Sequence, residues 1–328
     1  MRRRPIAAIV PSAAATERVE DGLHALSVAR PFELEVIQPL DLLSSGSVPW
    51  PGARPVRVLP GLRRVAILRV ASRWLVQPRA RRPEVVLGLG AGAELASALA
   101  RVLGARGVAW LGLDAQRLEP PEDAATSIDA LWVGDPEAER VAARRGLRAE
   151  LVPFGPRLEP ASAGGHGEGL VVLLPRRGRL AAAEREALER IGAGVRLTAI
   201  GDEPAGVAER FVVRTDRAAR LDLLRSAVGV VAPAPDTARA ELVEALGFGR
   251  PIVVPEEARP PFFDSRVGVG YGRGRPESLG DAMAEVLAAP GRGRFDPAHL
   301  RAVAEAEARE ATAVPERLLT ALLSPRVF

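Results

Sequence analysis

Short apolar runs alternate with helical segments along this chain, and the alternation occurs twice. In the first half PIAAIVPS (5–12), FELEVI (32–37), PVRVL (55–59), EVVLGLG (84–90), VAWLGL (108–113), DALWVG (129–134) and AELVP (149–153) read as strands. Helical periodicity over 16–28, 62–76, 93–103 and 136–146 falls among them. The segment from Phe154 to Glu168, FGPRLEPASAGGHGE, is rich in Gly, Pro and Ser and has no apolar period, so it reads as a linker. The pattern then restarts. GLVVLLP (169–175), VRLTAIG (195–201), RFVVR (210–214), VGVVAP (228–233) and PIVVP (251–255) are strands, with helices over 181–191, 218–226, 238–247 and 276–288. The tail, 297–323, reads as helix broken near Pro315.

Strands joined by helices pair in parallel, because a parallel connection needs a crossover. The predicted fold is therefore α/β: two Rossmann-like, doubly wound domains facing across a cleft. Residues 1–155 form the first domain, 156–168 the linker and 169–296 the second domain. The helical tail, 297–328, packs back on the first. Sheets of this kind bind ligands beyond the carboxyl ends of their strands.

Composition removes several chemistries. There is no cysteine, which excludes disulfides, thiolate zinc sites and iron–sulfur clusters. All 45 basic residues are arginine. A Schiff-base lysine and a phosphate-loop lysine are thus excluded. His24, His166 and His299 are far apart in sequence, which argues against a histidine-rich metal site. The net charge is only +4, so nucleic acid is not an expected partner. No apolar run approaches the roughly 18 residues of a membrane span. The run Ile6 to Val10 is too short for a signal peptide, and a cytoplasmic protein is expected.

Two segments carry site candidates. In LGLGAGA (87–93) a strand enters Gly88-x-Gly90-x-x-Ala93, and the next strand ends at Asp114. That is the outline of a nicotinamide-dinucleotide turn, or a glycine-rich contact between strand and helix. In VVAPAPDTARAELVEALGFGRPIVVP (230–255) a strand leads to Asp236, a helix carries Glu241 and Glu244, and Gly249-Arg250-Pro251 opens the next strand. Carboxylates so placed suit sugar and ribose hydroxyls, since each accepts two or more hydrogen bonds. The alternative is a capped surface helix with Asp236 as its cap and the glutamates solvated.

The second segment resembles the donor-binding signature of the retaining group 1 glycosyltransferases, glycosyltransferase family 4. There an acid, seven residues and Glu-Ala-x-x-x-Gly-x-Pro run into a valine-rich strand. The matching residues are Asp236, Glu244, Ala245, Gly249 and Pro251. The stretches 129–160, 195–204 and 221–237 resemble the family's flanking elements, VRLTAIGDEP (195–204) matching the strand that ends in Gly-Asp-Gly-x-Pro at Gly201. The resemblance implies the GT-B fold, a nucleoside diphosphate sugar as donor, no obligatory metal or other cofactor, and retention of configuration. It implies that Glu244 holds the ribose hydroxyls, Asp236 contacts the donor sugar, and Arg176 or Arg177 binds the diphosphate, with Arg179 standing where the family uses lysine. Three departures are Asp for the family's usual first Glu, the missing lysine, and the missing glycine pair after the first strand, where PSAAATERVEDG has only Gly22. They leave open a catalytically degenerate GT-B binding protein. An NAD(P)-dependent oxidoreductase using Gly88, Gly90 and Asp114 is the second alternative.

A third feature is charge. Between Leu42 and Pro83 there is no acid, and nine arginines stand at positions 54, 57, 63, 64, 69, 73, 79, 81 and 82. Beyond residue 156, by contrast, 24 arginines balance 24 acids. Within the basic stretch Leu62, Val65, Leu68, Ser72 and Leu75 share one helical stripe, and Trp74 is a candidate interface residue. A basic amphipathic helix over 62–76 suits an anionic membrane surface and a lipid-linked acceptor. The alternative is a sheet-covering helix with a solvated arginine face. His24 is noted on the acceptor side. Asp114 and Asp135 are strand-end residues that suit a cleft or a helix cap equally.

Overall fold

The computed structural model describes residues 3–10, 23–24, 26–27, 32–41, 53–58, 63–111, 128–134, 136–152, 158–159, 169–174, 180–191, 195–200, 217–233, 239–290 and 293–324. The chain divides into two compact units, one of Met1–Gly155 with Glu310–Phe328, the other of Pro156–Arg309.

The first unit holds a seven-stranded parallel sheet. Its strands are β1 (Arg4–Ile9), β2 (Phe32–Asp41), β3 (Arg54–Val58), β4 (Val85–Leu89), β5 (Arg106–Leu111), β6 (Ala130–Val133) and β7 (Glu150–Leu151), in spatial order β3-β2-β1-β4-β5-β6-β7. Helices α1 (Arg63–Leu75), α2 (Ala93–Leu103) and α3 (Pro136–Arg144) fall among the strands. The strands read as continuous apolar runs because both faces are covered. Along β1, Ile6, Ala8 and Val10 enter one core with Leu87, Leu89, Trp110 and Trp132. Ala7 and Ile9 enter the opposite core with Val70, Trp74, Leu99 and Ala100. That alternation is the two-residue period of a strand. Trp110 and Trp132 meet edge to face with centroids 5.5 Å apart. Trp110 also donates its indole N–H to the Val152 carbonyl at 3.2 Å.

The second unit holds five parallel strands, β8 (Leu170–Leu173), β9 (Leu197–Ile200), β10 (Gly229–Val231), β11 (Ile252–Pro255) and β12 (Gly268–Tyr271), in order β12-β11-β10-β8-β9. Helices α4 (Ala182–Ile191), α5 (Arg217–Ser226), α6 (Arg239–Gly247) and α7 (Pro276–Ala288) accompany them, and α8 (Pro297–Leu323) follows. Leu170, Val172 and Val231 pack beneath α4 and α7, whereas Val171, Leu173 and Val230 pack against α5, α6 and the start of α8.

Three expectations change. Strand β12 was not expected from the sequence, because GVGY is short and half glycine. The tail is one unbroken helix through Pro315. The missing N–H costs a single rung of the ladder, and packing of Val314, Leu318, Leu319 and Leu322 on the first unit's core holds the turns on either side. Trp74 is not an interface residue. It is 1% exposed, and its indole N–H donates to Glu35 Oε2 at 2.9 Å. The strand expected at 210–214 lies outside the described residues. Of the helix expected at 16–28, Leu23, His24, Leu26 and Ser27 are helical, with Leu26 in the core and His24 exposed.

Candidate functional site

In the second unit the strand order reverses between β8 and β10. From β8 the chain runs outward to β9 on one side and to β10, β11 and β12 on the other. Val172 pairs with Val231 and Leu173 with Ile200, so the carboxyl ends of β8, β9 and β10 lie side by side. Chain order then matters. Arg176, Arg177 and Arg179 follow β8, Gly201 follows β9, and Asp236 follows β10. Five of the six site candidates therefore follow three neighbouring strand ends at the switch point, the place where open α/β sheets bind ligands. These five residues themselves lie outside the described residues, as do Asp114 and Asp135.

Glu244, the sixth, is on α6. It is 3% exposed, so the alternative of a solvated glutamate is excluded for this position. Its Oε2 lies 3.0 Å from Nη2 of Arg220 on α5, and the same nitrogen donates to Oε1 at 3.2 Å. The crevice beside it, lined by Leu158, Leu221, Gly247 and Phe248, is packed shut. A buried carboxylate needs such a cation, since an unpaired charge in this position would be strongly disfavoured. Arg220 was missed in the sequence. Among so many arginines, nothing marks one on a different helix as the partner of Glu244.

Glu241 is half-buried one turn earlier on α6. After the helix, Gly249 takes φ +72, a backbone conformation open to glycine and strained for other residues. Arg250 then donates to the Arg225 carbonyl, and burial lowers its pKa. The Gly-x-Pro spacing is therefore a helix stop that turns the chain into β11.

Tyr271, at the end of β12, was also missed. Its hydroxyl donates to the Pro233 carbonyl at 2.9 Å, which fixes the backbone three residues before Asp236 in the chain. Burial, reinforced by the charge of Glu184, pushes its pKa upward and keeps the phenol protonated. Glu184, buried in the first turn of α4, accepts from the Gly274 N–H at 3.3 Å. Arg273 Nε lies 3.8 Å from the same carboxylate.

In the first unit the glycine turn has a packing explanation. A Cβ on Gly88 would strike the Ala93 backbone, and one on Gly92 the Ile9 carbonyl. Gly90 takes φ +53. Helix α1 presents two apolar faces. Ile67, Val70, Ala71 and Trp74 face the sheet. Val65, Leu68, Leu75 and Val76 stand in solvent at 48%, 62%, 40% and 83% exposure. The stripe expected from the sequence is thus the outer one. Among the described residues, no cluster of histidines and carboxylates could hold a metal, and no helix is long and apolar enough to cross a membrane.

No protein-family model and no curated protein matches the chain by sequence. Solved structures do match it. Sucrose-phosphate synthase from Thermosynechococcus elongatus aligns over 98% of this chain and 99% of its own, with 15% identity and a TM-score of 0.61. HepE from Anabaena, in complex with UDP and glucose, aligns over 96% and 99%, with 12% identity and a TM-score of 0.67. Arabidopsis thaliana UGT89C1, complexed with UDP-L-rhamnose, aligns over 97% and 99%, with 15% identity and a TM-score of 0.51. At these identities the likeness is one of fold. The chain has the GT-B fold, two Rossmann-like units each built on a parallel sheet.

Proposed function

We propose that this protein is a retaining glycosyltransferase of the group 1 type, which moves a sugar from a nucleoside diphosphate sugar to an acceptor. The observation that carries the reading is the convergence of the β8, β9 and β10 ends ahead of Arg176, Gly201 and Asp236. Arg176 and Arg177 bind the diphosphate, and Arg179 takes the place of the family's lysine. A guanidinium pairs phosphate oxygens through two parallel N–H bonds, so arginine suits this task. Negative charge grows on the diphosphate as the glycosidic bond breaks, and fixed cations there stabilise the transition state. Gly201 lets the backbone approach the donor, Asp236 accepts from the donor sugar's hydroxyls, and Glu244 accepts from the ribose. No metal has a part in this scheme. Two of the structurally similar proteins were solved with UDP or a UDP-sugar, which supports a nucleotide donor.

The first unit takes the acceptor, and its arginine-rich segment favours a lipid-linked one at an anionic membrane surface. A second reading, a GT-B protein that binds nucleotide without turnover, is favoured by one observation. Glu244 is already engaged with Arg220 in a closed crevice. Calorimetric titration with UDP, GDP and NAD separates these readings from an oxidoreductase. The two GT-B readings are separated by incubating the protein with the donor that binds and following sugar release by proton NMR. Retained anomeric configuration in the product supports the transferase. Tight nucleotide binding with no release supports the binding protein, and NAD binding alone overturns both.

A further inference from the structure

On the edge of the first unit's sheet, Arg57 of β3 and Arg69 and Arg73 of α1 line one open groove of about 430 Å³, with Pro55 and Val56 at its floor. None of the three arginines has an acidic partner among the described residues. Some other described arginines do have acidic partners, as Arg54 has in Glu35 and Arg106 in Asp129. Three guanidinium groups repel one another, and an acid at any of these places would relieve the repulsion. The sequence supplies none between Leu42 and Pro83. Among the described residues the groove is therefore a cationic slot without an internal anion.

Directly beside it runs the outer apolar ridge of α1. Arg69 and Arg73 are one turn apart and look toward β3. Leu68 and Leu75, two turns apart, lie on the outward side, bordered by Val65 and Val76. Aliphatic side chains this exposed gain free energy of transfer when something apolar covers them. One occupant meets both demands. We propose that this face docks on an anionic phospholipid bilayer, with headgroup phosphates in the Arg57–Arg69–Arg73 groove and the Val65–Leu68–Leu75–Val76 ridge seated among the upper acyl carbons. A polyanion such as nucleic acid would use the arginines but leave the ridge bare. The described face also carries no exposed aromatic on which a base could stack. The proposal deepens the acceptor half of the functional reading and rests on that reading for its purpose. Its test needs no nucleotide, so the two can fail separately.

The test is co-sedimentation of the full chain with vesicles of phosphatidylglycerol and phosphatidylcholine, against phosphatidylcholine alone, at low and high salt. Binding to the anionic vesicles at low salt is expected, with a loss of tenfold or more at high salt, where screening shortens the reach of each charge. Replacing Arg57, Arg69 and Arg73 together by Gln should weaken binding on the order of a hundredfold. Leu68→Ser with Val76→Ser should weaken it at least tenfold with every arginine retained. These positions are exposed or partly exposed, so the unfolding midpoint should hold, and that is measured alongside. Indifference of the wild-type chain to anionic vesicles at low salt overturns the proposal. So does full binding by the arginine triple variant, or by the Leu68/Val76 variant. Tighter capture by single-stranded DNA than by anionic vesicles also overturns it, in favour of a nucleic-acid surface.

Discussion

The Glu244 carboxylate and the Arg220 guanidinium lie 3.0 Å apart, with side chains 2% and 12% exposed. The pair ties α5 to α6. Attraction inside such a pair is offset by the cost of removing both charges from water, so its presence alone adds little stability. Removing one partner is different, because the other is left buried and uncompensated.

Arg220→Met should accordingly lower stability by about 3–5 kcal/mol, and Glu244→Leu by a similar amount. The double replacement should recover most of the loss, since an apolar pair of similar volume needs no counter-charge. Urea unfolding of the four proteins checks this. The double variant also reads the ribose assignment free of any folding defect. If Glu244 holds ribose, the refolded double variant should bind UDP or GDP at least tenfold more weakly than the wild type.

The phosphate arginines lend themselves to a kinetic test. Arg176→Ala and Arg177→Ala should each depress turnover strongly while leaving the unfolding midpoint in place. Stabilisation of a leaving diphosphate acts in the transition state, so kcat should fall more than KM rises. Full activity in the double variant would remove both residues from the site.

Tyr271 offers an unusually clean pH experiment. The chain has one tyrosine, no cysteine and no lysine, so it is the single side chain that titrates near pH 10. Burial raises its folded pKa above the unfolded value. The folded protein then holds its proton more tightly than the unfolded chain does. Its contribution to stability is complete below about pH 10 and is lost as pH rises through the raised pKa. Stability should thus fall above pH 10, and Tyr271→Phe should flatten that limb. At neutral pH the same substitution should cost about 1 kcal/mol through the lost bond to Pro233. Unfolding midpoints across alkaline pH, with tyrosinate absorbance as the second probe, measure both.

Sheets buried on both faces are the part of this structure most legible in sequence. Residues such as Val85, Val86 and Leu87 or Val171, Val172 and Leu173 leave few alternatives to a central strand. The helix that carries Glu244 and its stop before Pro251 were legible as well, because helical periodicity runs directly into Gly249. What periodicity could not decide was orientation. Helix α1 carries two apolar stripes, and only packing selects Val70 and Trp74 for the sheet over Leu68 and Leu75. Long-range partners were equally hidden: neither Arg220 for Glu244 nor Pro233 for Tyr271 has a local signal. The continuity of α8 through Pro315 overrode a reliable breaker by tertiary packing.

The glycine-rich turn after β4 is a place where packing and ligand binding make different predictions. An added Cβ at Gly92 meets the backbone carbonyl of Ile9, and one at Gly88 meets the backbone of Ala93. Backbone cannot step aside as a flexible side chain can. Gly88→Ala and Gly92→Ala should each destabilise the first unit by about 1–3 kcal/mol. Gly90 has open space around its Cβ position and suffers through its positive φ alone, so Gly90→Ala should cost about 1 kcal/mol. Thermal unfolding orders the three. A dinucleotide turn would instead give an NAD-dependent midpoint that Gly90→Ala removes.

Leu319 tests whether the last helix is integral to the first unit or an appendage. It is fully buried among Ile6, Val85, Trp110 and Trp132, residues of the central strands, with Leu318 and Leu322 packed around it. Close by, the Arg4 side chain, which also pairs with Glu84, donates to the Leu323 carbonyl at 3.3 Å. A surface appendage would tolerate loss of the side chain within about half a kcal/mol. A core position would not, because truncation forfeits the buried methyl groups and leaves a cavity that the rigid strands cannot fill. Leu319→Ala should therefore cost about 2–5 kcal/mol. Arg317→Ala, on the exposed side of the same turn, is the control and should change little. Urea unfolding followed by tryptophan fluorescence is the suitable probe, since Trp110 and Trp132 belong to the same core. An unchanged fluorescence midpoint for Leu319→Ala would mean that the tail folds independently of the strands it covers.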